Sequence, residues 1–246
     1  MDFYVGVDVH QAKALPKAIL SVNRLIRRNR QSGFEANDWI LDSGAFTELN
    51  RHGEFKTSIA AYAHAIRRWT IYGNCVAAVS QDYMCTDAVL DMTKSSVAGH
   101  QTLTIERYLE LKKEGLPVYL MPVLQGASIR EFEEHAKMYL GLLDSDAWVG
   151  IGSIFQLQKK PEVMADLLIA IKEIASGWKL HGFGLKTTAL KNPEIRAVLH
   201  SADSYAWSYH ARKNNRDQNS IEEAELFRKK IERLGQESVY VQKRLL

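Results

Sequence analysis

Three aspartates stand at or near the ends of short apolar runs. Asp42 directly follows Trp-Ile-Leu, Asp82 follows Val-Ala-Ala-Val-Ser-Gln, and Asp203 follows Ser-Ala. Carboxylates that are held together and partly buried acquire different pKa values, so one can attack as a nucleophile while another transfers protons, as in retaining glycosyl transfer. Three acids could equally coordinate magnesium. The spacing therefore indicates an enzyme whose substrate carries a leaving group, and it leaves the reaction open.

Other residue types that could bind a ligand follow the apolar runs. Phe46 offers a flat face to a planar molecule, and Gln125 offers both a donor and an acceptor to the edge of a purine-like base. Pairs that contain glycine stand at three further run ends, as Gln125-Gly126, Gly152-Ser153 and His181-Gly182. A polar residue at one strand end is ordinary, because the chain is surfacing there. Six consecutive polar or glycine-bearing ends favour a site.

The elements that would position these residues alternate along the chain. Seven strands are predicted, at Phe3–Val7, Trp39–Leu41, Cys75–Val79, Val118–Leu124, Ala147–Ile151, Leu180–Phe183 and Ala202–Ala206. Helical spacing is found between and after them, at Leu15–Arg30, Ser58–Tyr72, Thr104–Glu114, Ile129–Leu143, Pro161–Ala175, Thr188–Leu199 and Glu222–Leu234. This alternation predicts a parallel sheet, either a barrel or a doubly wound sheet. An eighth strand is not evident.

Two observations favour the barrel. No Gly-x-Gly-x-x-Gly follows the first strand, which weighs against a doubly wound dinucleotide-binding sheet. Enzymes with a (β/α)8 barrel build their sites at the carboxyl ends of successive strands, where the polar residues of this chain lie. We therefore predict an α/β fold of the (β/α)8 TIM type, as a single domain over residues 1–246.

Composition excludes several classes of protein. The net charge is only +3, so binding to nucleic acid would need local basic patches. Two cysteines, Cys75 and Cys85, are too few for a disulfide scaffold or a Cys-rich zinc site. The first residues do not form a signal peptide, and no run approaches the roughly 20 apolar residues of a membrane span. We expect a soluble, cytoplasmic protein without membrane partners.

The ordered motifs resemble those of the tRNA-guanine transglycosylases. Asp42-Ser43-Gly44-Ala45-Phe46-Thr47 is similar to the Asp-Ser-Gly-Gly-Phe-Gln signature of that family. The other similar segments follow in the family's order, as Val79–Asp82, Val123–Gly126, Gly150–Ile154, Leu180–Gly184 and Asp203–Arg212. Each match is weak alone, whereas the ordered set is fairly specific and spans most of the chain.

The resemblance implies a role for each matching residue. Asp203 would be the nucleophile that displaces guanine from C1′, and Asp42 the general acid and base for the outgoing and incoming bases. The implied base-binding residues are Phe46, Asp82, Gln125, Gly126, Gly152, Ser153, His181 and Gly182. Phe46 and His181 would sandwich the base. The family has methionine at the position of His181, and Phe183 is an alternative for that face.

Departures from the family's pattern indicate which nucleic acid is the substrate. No cysteine follows Cys85, so the Cys-rich zinc site of enzymes acting on tRNA is missing and no zinc is expected. The short, zinc-free form resembles DpdA-type proteins, which insert 7-deazaguanine bases into DNA. The implied function is exchange of guanine in DNA for a free 7-deazaguanine base, such as 7-cyano-7-deazaguanine, in a bacterial or phage-infected cell. The alternatives are a tRNA transglycosylase and a non-catalytic nucleic-acid-binding barrel, and a partner protein or homodimer is left open.

Basic residues after the expected nucleophile favour a nucleic-acid partner. Arg212, Lys213 and Arg216 would contact the phosphate backbone beside the attacked sugar. Clusters on predicted helices are more often solvated faces, and these contain Arg24, Arg27, Arg28, Arg30, Arg67 and Arg68. Duplex DNA hides C1′ and the base edges, so we expect single-stranded DNA or an extruded nucleotide.

Overall fold

Parallel strands form the centre of the protein. The computed structural model describes residues 1–26 and 32–244, with side chains as far as Gly235. Within these residues nine strands make one sheet in the order β5-β4-β3-β2-β1-β9-β8-β7-β6, and every pairing is parallel. They are β1 (Asp2–Gly6), β2 (Lys17–Ser21), β3 (Asp38–Asp42), β4 (Asn74–Val79), β5 (Tyr119–Met121), β6 (Val123–Leu124), β7 (Trp148–Ile151), β8 (Lys179–Gly182) and β9 (Leu199–Ser204).

The two edges of this sheet meet at Pro122. β5 and β6 are the halves of one extended segment, which the proline divides because it has no N–H to give to a ladder. On one side Ser80 N–H donates to the carbonyl of Met121 at 2.9 Å, and on the other Gly150 N–H donates to the carbonyl of Pro122 at 2.8 Å. The sheet thus curves into a nearly closed barrel, which confirms the predicted TIM-type fold.

Helices connect the strands. They are α1 (Val22–Ile26), α2 (Ala45–His52), α3 (Ile59–Trp69), α4 (Asp87–Thr93), α5 (Val97–Lys113), α6 (Ile129–Tyr139), α7 (Pro161–Ile174), α8 (Thr187–Leu190), α9 (Pro193–Val198), α10 (Ala206–Lys213) and α11 (Ile221–Arg244), with 3-10 helices at Val9–Ala14 and Ile154–Leu157. Side-chain caps begin several of them, as where Ser128 accepts from Glu131 N–H. None of the described helices is long and apolar enough to cross a membrane.

The strand that sequence periodicity missed is β2. The prediction of a helix from Leu15 to Arg30 is wrong, since Lys17–Ser21 is a strand and only Val22–Ile26 is helical within the described part of that segment. Ala18 and Leu20 pack against the outer helices while Ile19 faces the barrel interior. This two-residue alternation is typical of a strand. The apolar residues of this segment fit both the two-residue period of a strand and the 3.6-residue period of a helix.

Two predicted helices have different bounds for local reasons. α5 starts at Val97 rather than Thr104, because the Ser96 side chain accepts from the N–H of Gly99 and caps the helix there. The predicted helix Thr188–Leu199 is divided into α8 and α9. Asn192 caps α9 and Pro193 begins it, so the earlier helix cannot continue through them.

The apolar core has two layers separated by the strands. Inside the barrel, buried side chains from alternate strand positions form one cluster, which includes Tyr4, Ile40 and Val123. Outside it, a larger cluster fills the space between strands and helices and includes Leu41 and Leu168. Because all the strand pairings are parallel, the carboxyl ends of the strands stand at one common end of the barrel.

Candidate active site

A pocket of about 880 Å³ opens at the carboxyl ends of the strands. Seven of the residues predicted for the site line it, namely Asp42, Phe46, Asp82, Gln125, Gly152, Ser153 and Asp203. They come from five separate regions of the sequence, since the ends of β3, β4, β6, β7 and β9 contribute them directly or through the following turn. The barrel therefore brings the three predicted carboxylates into one cavity.

Asp42 ends β3 and is held by the turn that follows it. Gly44, at φ +77°, allows the chain to turn, and its N–H donates to Oδ2 of Asp42 at 3.1 Å. Ser21, opposite Asp42 in the β2–β3 register, adds a side-chain hydrogen bond. Burial, and then the neighbouring charge of Asp203, raises the pKa of Asp42 to about 6, while these hydrogen bonds oppose the rise. Asp42 can therefore give and take a proton near neutral pH.

Asp203 lies near the end of β9 and is buried. Its Oδ1 accepts from the N–H of Gly184 at 3.0 Å and lies 3.3 Å from Nε2 of His181. No side-chain hydrogen bond from the described residues reaches its Oδ2. One oxygen is thus fixed by the protein, and the other is left for a ligand in the pocket.

His181 is not where a stacking residue must be. Its ring is fully buried, does not line the pocket, and lies between Asp203 and Ser201, whose Oγ is 2.9 Å from Nδ1. This placement does not support the predicted role of His181 as one face of a base sandwich. The ring points into the barrel because β8 places position 181 on the inner face, where Phe183 packs edge-on against it at 4.7 Å. Phe183 itself reaches the pocket.

Asp82 and Gln125 form a buried polar pair that also lines the cavity. Gln125 Nε2 donates to Oδ2 of Asp82 at 2.5 Å, and Ser153 Oγ donates to Oε1 of Gln125 at 2.7 Å. Burial raises the pKa of Asp82 to about 7, and the charge of Asp42 adds to this while the Gln125 bond opposes it. The pair presents donors and acceptors suited to the edge of a heterocycle.

The backbone around Gln125 is fixed by residues outside the pocket. Gln125 N–H donates to Nδ1 of His135 at 2.8 Å, and Gln101 Nε2 donates to the carbonyl of Gln125 at 2.8 Å. Burial lowers the pKa of His135 to about 4, so the ring stays neutral and can accept. Gly152 leaves room for the Gln125 side chain, since a Cβ there would lie 2.1 Å from Nε2. Sequence reasoning missed His135 and Gln101, which fix the Gln125 backbone through these hydrogen bonds.

Aromatic residues surround the entrance. Phe46 is 63% exposed at the start of α2, and its ring meets that of Phe155 at 6.3 Å in an edge-to-face arrangement. Phe155 was not predicted for the site, and it arrives on the 3-10 helix that follows β7. Of the aromatic residues that the sequence suggests for stacking on a base, Phe46 and Phe183 line the cavity.

Five other predicted residues do not line the pocket. Gly126 and Gly182 are buried in packing, where an added Cβ would meet the side chains of Phe132 and Leu185. The expected backbone contacts lie outside the cavity, on α10 or the loop after it, and these are Arg212, Lys213 and Arg216. Arg216 is paired with Glu223 at 2.6 Å. The predicted Arg27, Arg28 and Arg30 lie outside the described residues.

Residues that were not predicted complete the cavity wall. Asp8, Arg24, Arg51 and Tyr205 line it. The sequence predicts Arg24 within a helical basic cluster, which is more often a solvated face, because the sequence pattern does not reveal the strand β2 that precedes it. A strand at Lys17–Ser21 is the signal that would have placed this arginine at the carboxyl end of the barrel.

Metal coordination finds no support in the described side chains. Within residues 1–26 and 32–235 no group of three or more His, Cys, Asp or Glu side chains could hold a metal ion.

Comparison with known protein families identifies the family to which the chain belongs. The family model described as DpdA, DeoxyPurine in DNA protein A, matches residues 3–223 of 246. The chain belongs to this family, which confirms the resemblance to DpdA-type proteins. No curated protein matches the chain. The matched range includes every residue of the pocket.

Proposed function

We propose that this DpdA-family protein exchanges guanine in DNA for a 7-deazaguanine base through a covalent glycosyl-enzyme. The observation that carries the proposal is the meeting of Asp203, Asp42 and the Asp82–Gln125 pair in one pocket. A nucleophile, a proton carrier and a base-reading pair are what a double displacement at C1′ of a nucleoside requires.

In the first displacement the free Oδ2 of Asp203 attacks C1′. A carbon–oxygen bond forms as the bond from C1′ to N9 of guanine breaks, and the electron pair of that bond leaves with guanine. The bonds from Gly184 N–H and His181 hold Oδ1, so the carboxylate cannot rotate away from the sugar. Asp42, whose pKa is near 6, gives a proton to the departing base.

In the second displacement the incoming base reverses these steps. Asp42, now a carboxylate, removes the N9 proton of the free 7-deazaguanine. N9 then attacks C1′, and Asp203 leaves as a carboxylate. The exchange neither oxidises nor reduces any group, so the free base is the only co-substrate that the chemistry needs.

Base recognition rests on Asp82 and Gln125. A carboxylate can accept from N1–H and the exocyclic amine of guanine, and Gln125 can donate or accept beside it. A 7-deaza base differs at position 7 and keeps the N1–H and amine edge, so one pair of side chains can read both the outgoing and the incoming base. Phe46 and Phe183 would cover the faces of the base.

DNA is proposed as the polymer because the family is described by deoxypurine in DNA. Asp203 and Asp82 are buried, so a nucleotide must leave a base stack for its C1′ to reach the first and its base the second. We therefore expect the substrate to be single-stranded or to have its target nucleotide extruded.

The test measures base exchange and the covalent intermediate separately. Purified protein is incubated with single-stranded DNA carrying labelled guanine, with and without 7-cyano-7-deazaguanine, and with tRNA as the competing polymer. Wild-type protein should release guanine from DNA and, without the incoming base, form an adduct that survives denaturing gels. Asp203→Asn should lose exchange by at least about 1,000-fold and form no adduct.

A matched control is Asp144→Asn, which removes an exposed carboxylate outside the pocket and should exchange at the wild-type rate. Release of guanine from tRNA but not from DNA would identify tRNA as the substrate instead. Binding of DNA without any exchange would support a non-catalytic barrel, and native-rate exchange by Asp203→Asn would overturn the nucleophile assignment.

A further inference from the structure

Two arginines line the pocket among the described residues, and the exchange chemistry uses neither. Arg24 lies in α1, directly after β2, and Arg51 lies in the last turn of α2, after the Asp42 turn. Both therefore stand on helices that leave the carboxyl ends of neighbouring strands, at the same end of the barrel as Asp42 and Asp203. Their surroundings differ.

Arg24 is held in place by two neighbours. Its guanidinium pairs with the carboxylate of Asp8 and stands 5.5 Å from the ring centre of Tyr205. Tyr205 is two residues beyond Asp203, so this contact fixes the arginine relative to the proposed nucleophile. A guanidinium has five N–H donors, and the pair with Asp8 does not use all of them. Because Arg24 lines the pocket, the remaining donors are available to a ligand there.

Arg51 has no such partner among the residues that the structure describes. Its side chain is exposed, and no hydrogen bond or ion pair joins its guanidinium to another described residue. The neighbouring Phe46 lies one turn and a half earlier on the same helix and also faces the cavity. A free cation at the rim beside a stacking ring is suited to an anionic ligand whose planar part enters the pocket.

The acidic lining of the cavity favours such cations for the binding of a nucleic acid. Four carboxylates line it, those of Asp8, Asp42, Asp82 and Asp203. Any strand that places a sugar at Asp203 brings a phosphodiester on each side of that sugar toward this negative wall. Without local cations the repulsion would oppose binding.

We propose that Arg24 and Arg51 bind the phosphodiesters that flank the target nucleoside. This rests on the proposed function, since it places the attacked sugar at Asp203. It replaces the earlier assignment of the backbone contacts to Arg212, Lys213 and Arg216, which lie outside the pocket. Arg24, fixed by Asp8 and Tyr205, orients the strand, and Arg51 supplies the unpaired charge.

The experiment measures binding of a fluorescent single-stranded DNA by anisotropy over a range of salt concentrations. Arg51→Gln should weaken binding about five- to tenfold and reduce the slope of log K against log salt by about 0.7, the value for one phosphate contact on a single strand. Arg130→Gln, which changes an exposed arginine outside the pocket, is the matched control and should keep the wild-type slope. Arg212→Gln tests the earlier assignment of the backbone contacts. Asp8→Asn should tighten binding, because Arg24 no longer shares its charge.

A second arm removes the ligand's charge instead. Uncharged methylphosphonate linkages on both sides of the target guanosine should weaken binding to the wild type and have a smaller effect on Arg51→Gln, because the contact is already lost. Wild-type affinity and slope in both Arg51→Gln and an Arg24→Gln/Arg51→Gln double variant would overturn the proposal, as would a loss confined to Arg212→Gln.

Binding and exchange are read separately, so the two proposals fail in different ways. Guanine release by the wild type with an unchanged slope in the arginine variants would leave the function standing and remove the phosphate site. The predicted slope changes without any guanine release would support the phosphate site and reject the exchange reaction.

Discussion

Asp42, Asp82 and Asp203 are the same residue type at similar positions, and their partners give them different chemistry. Asp42 has a pKa near 6 because it is desolvated beside another carboxylate, which suits a proton carrier. Asp82 has a pKa near 7 and is bonded to an amide, which suits a ligand-reading group. Asp203 has one oxygen fixed by Gly184 and His181 and the other free, which suits a nucleophile.

His181 provides the test at this scale. His181→Met removes the hydrogen bond to Asp203 while keeping an apolar side chain of similar bulk, so we expect kcat of base exchange to fall about tenfold with little change in KM. His181→Gln keeps a donor near Asp203 and should recover much of that loss. Steady-state exchange with labelled guanine measures both parameters.

Thermal unfolding of the two variants controls for folding, since His181 is fully buried. Equal kcat for His181→Met and the wild type would show that Asp203 needs no support from the ring. Equal losses in both variants, in proportion to lost stability, would point to packing alone.

At the scale of elements, each strand end contributes a different part of the site. β3 delivers Asp42, β9 delivers Asp203, and β6 and β7 deliver Gln125 and the Gly152 turn. Strand ends are suited to this because their backbones are fixed by ladder hydrogen bonds up to the last residue. β2 matters in the same way, since Ser21 bonds Asp42 and the strand leads directly into Arg24.

Gly152→Ala tests the turn after β7. Its new Cβ would lie 2.1 Å from Nε2 of Gln125, so the amide must move and its bond to Asp82 must break. We expect affinity for free guanine to fall at least about tenfold, measured by calorimetry, because the base-reading pair is disrupted. Gly235→Ala, with nothing within 4 Å of its Cβ, is the matched control and should bind as the wild type does.

The chain can accommodate this change by moving a side chain rather than the backbone. The melting temperature of Gly152→Ala should therefore stay close to that of the wild type, while its affinity for guanine falls. Unchanged affinity for guanine would contradict the assignment of Gln125 to base recognition.

At the scale of the whole molecule, gathering acids in one cavity affects stability. The folded pKa values of Asp42 and Asp82, about 6 and about 7, lie above the ordinary value of 3.8. Between pH 4 and 7 the folded protein thus binds more protons than the unfolded chain does. The contribution of these groups to the free energy of unfolding therefore falls as pH rises through this window, and stays low above it.

Asp82→Asn should make that decline shallower. Relative to the wild type, the free energy of unfolding of the variant should rise by about 2–4 kcal/mol between pH 4 and pH 8, because a buried charge no longer forms. Urea unfolding at several pH values, with Asp144→Asn as the exposed control, measures this difference. A gap between variant and wild type that stays constant with pH would contradict the raised pKa of Asp82.

Sequence alone determined the class of fold and most of the candidate site. Apolar runs alternating with helical segments predicted the parallel barrel, and the polar residues after those runs included Asp42, Asp82, Gln125 and Asp203, because strand ends of such a barrel share one face. It could not determine β2, since Ala18, Leu20 and their neighbours fit a helix and a strand equally well until the flanking strands supply hydrogen bonds.

Only the tertiary structure decided which strand-end side chains reach the cavity. His181 and Phe183 are two residues apart, yet one is sealed beneath Asp203 and the other lines the pocket. Arg24 and Arg51 are 27 positions apart in the sequence, yet both line it, whereas Arg212, close to Asp203 in sequence, does not. Sequence patterns report the face of an element, but access to a pocket depends on barrel curvature and on the side chains contributed by neighbouring strands.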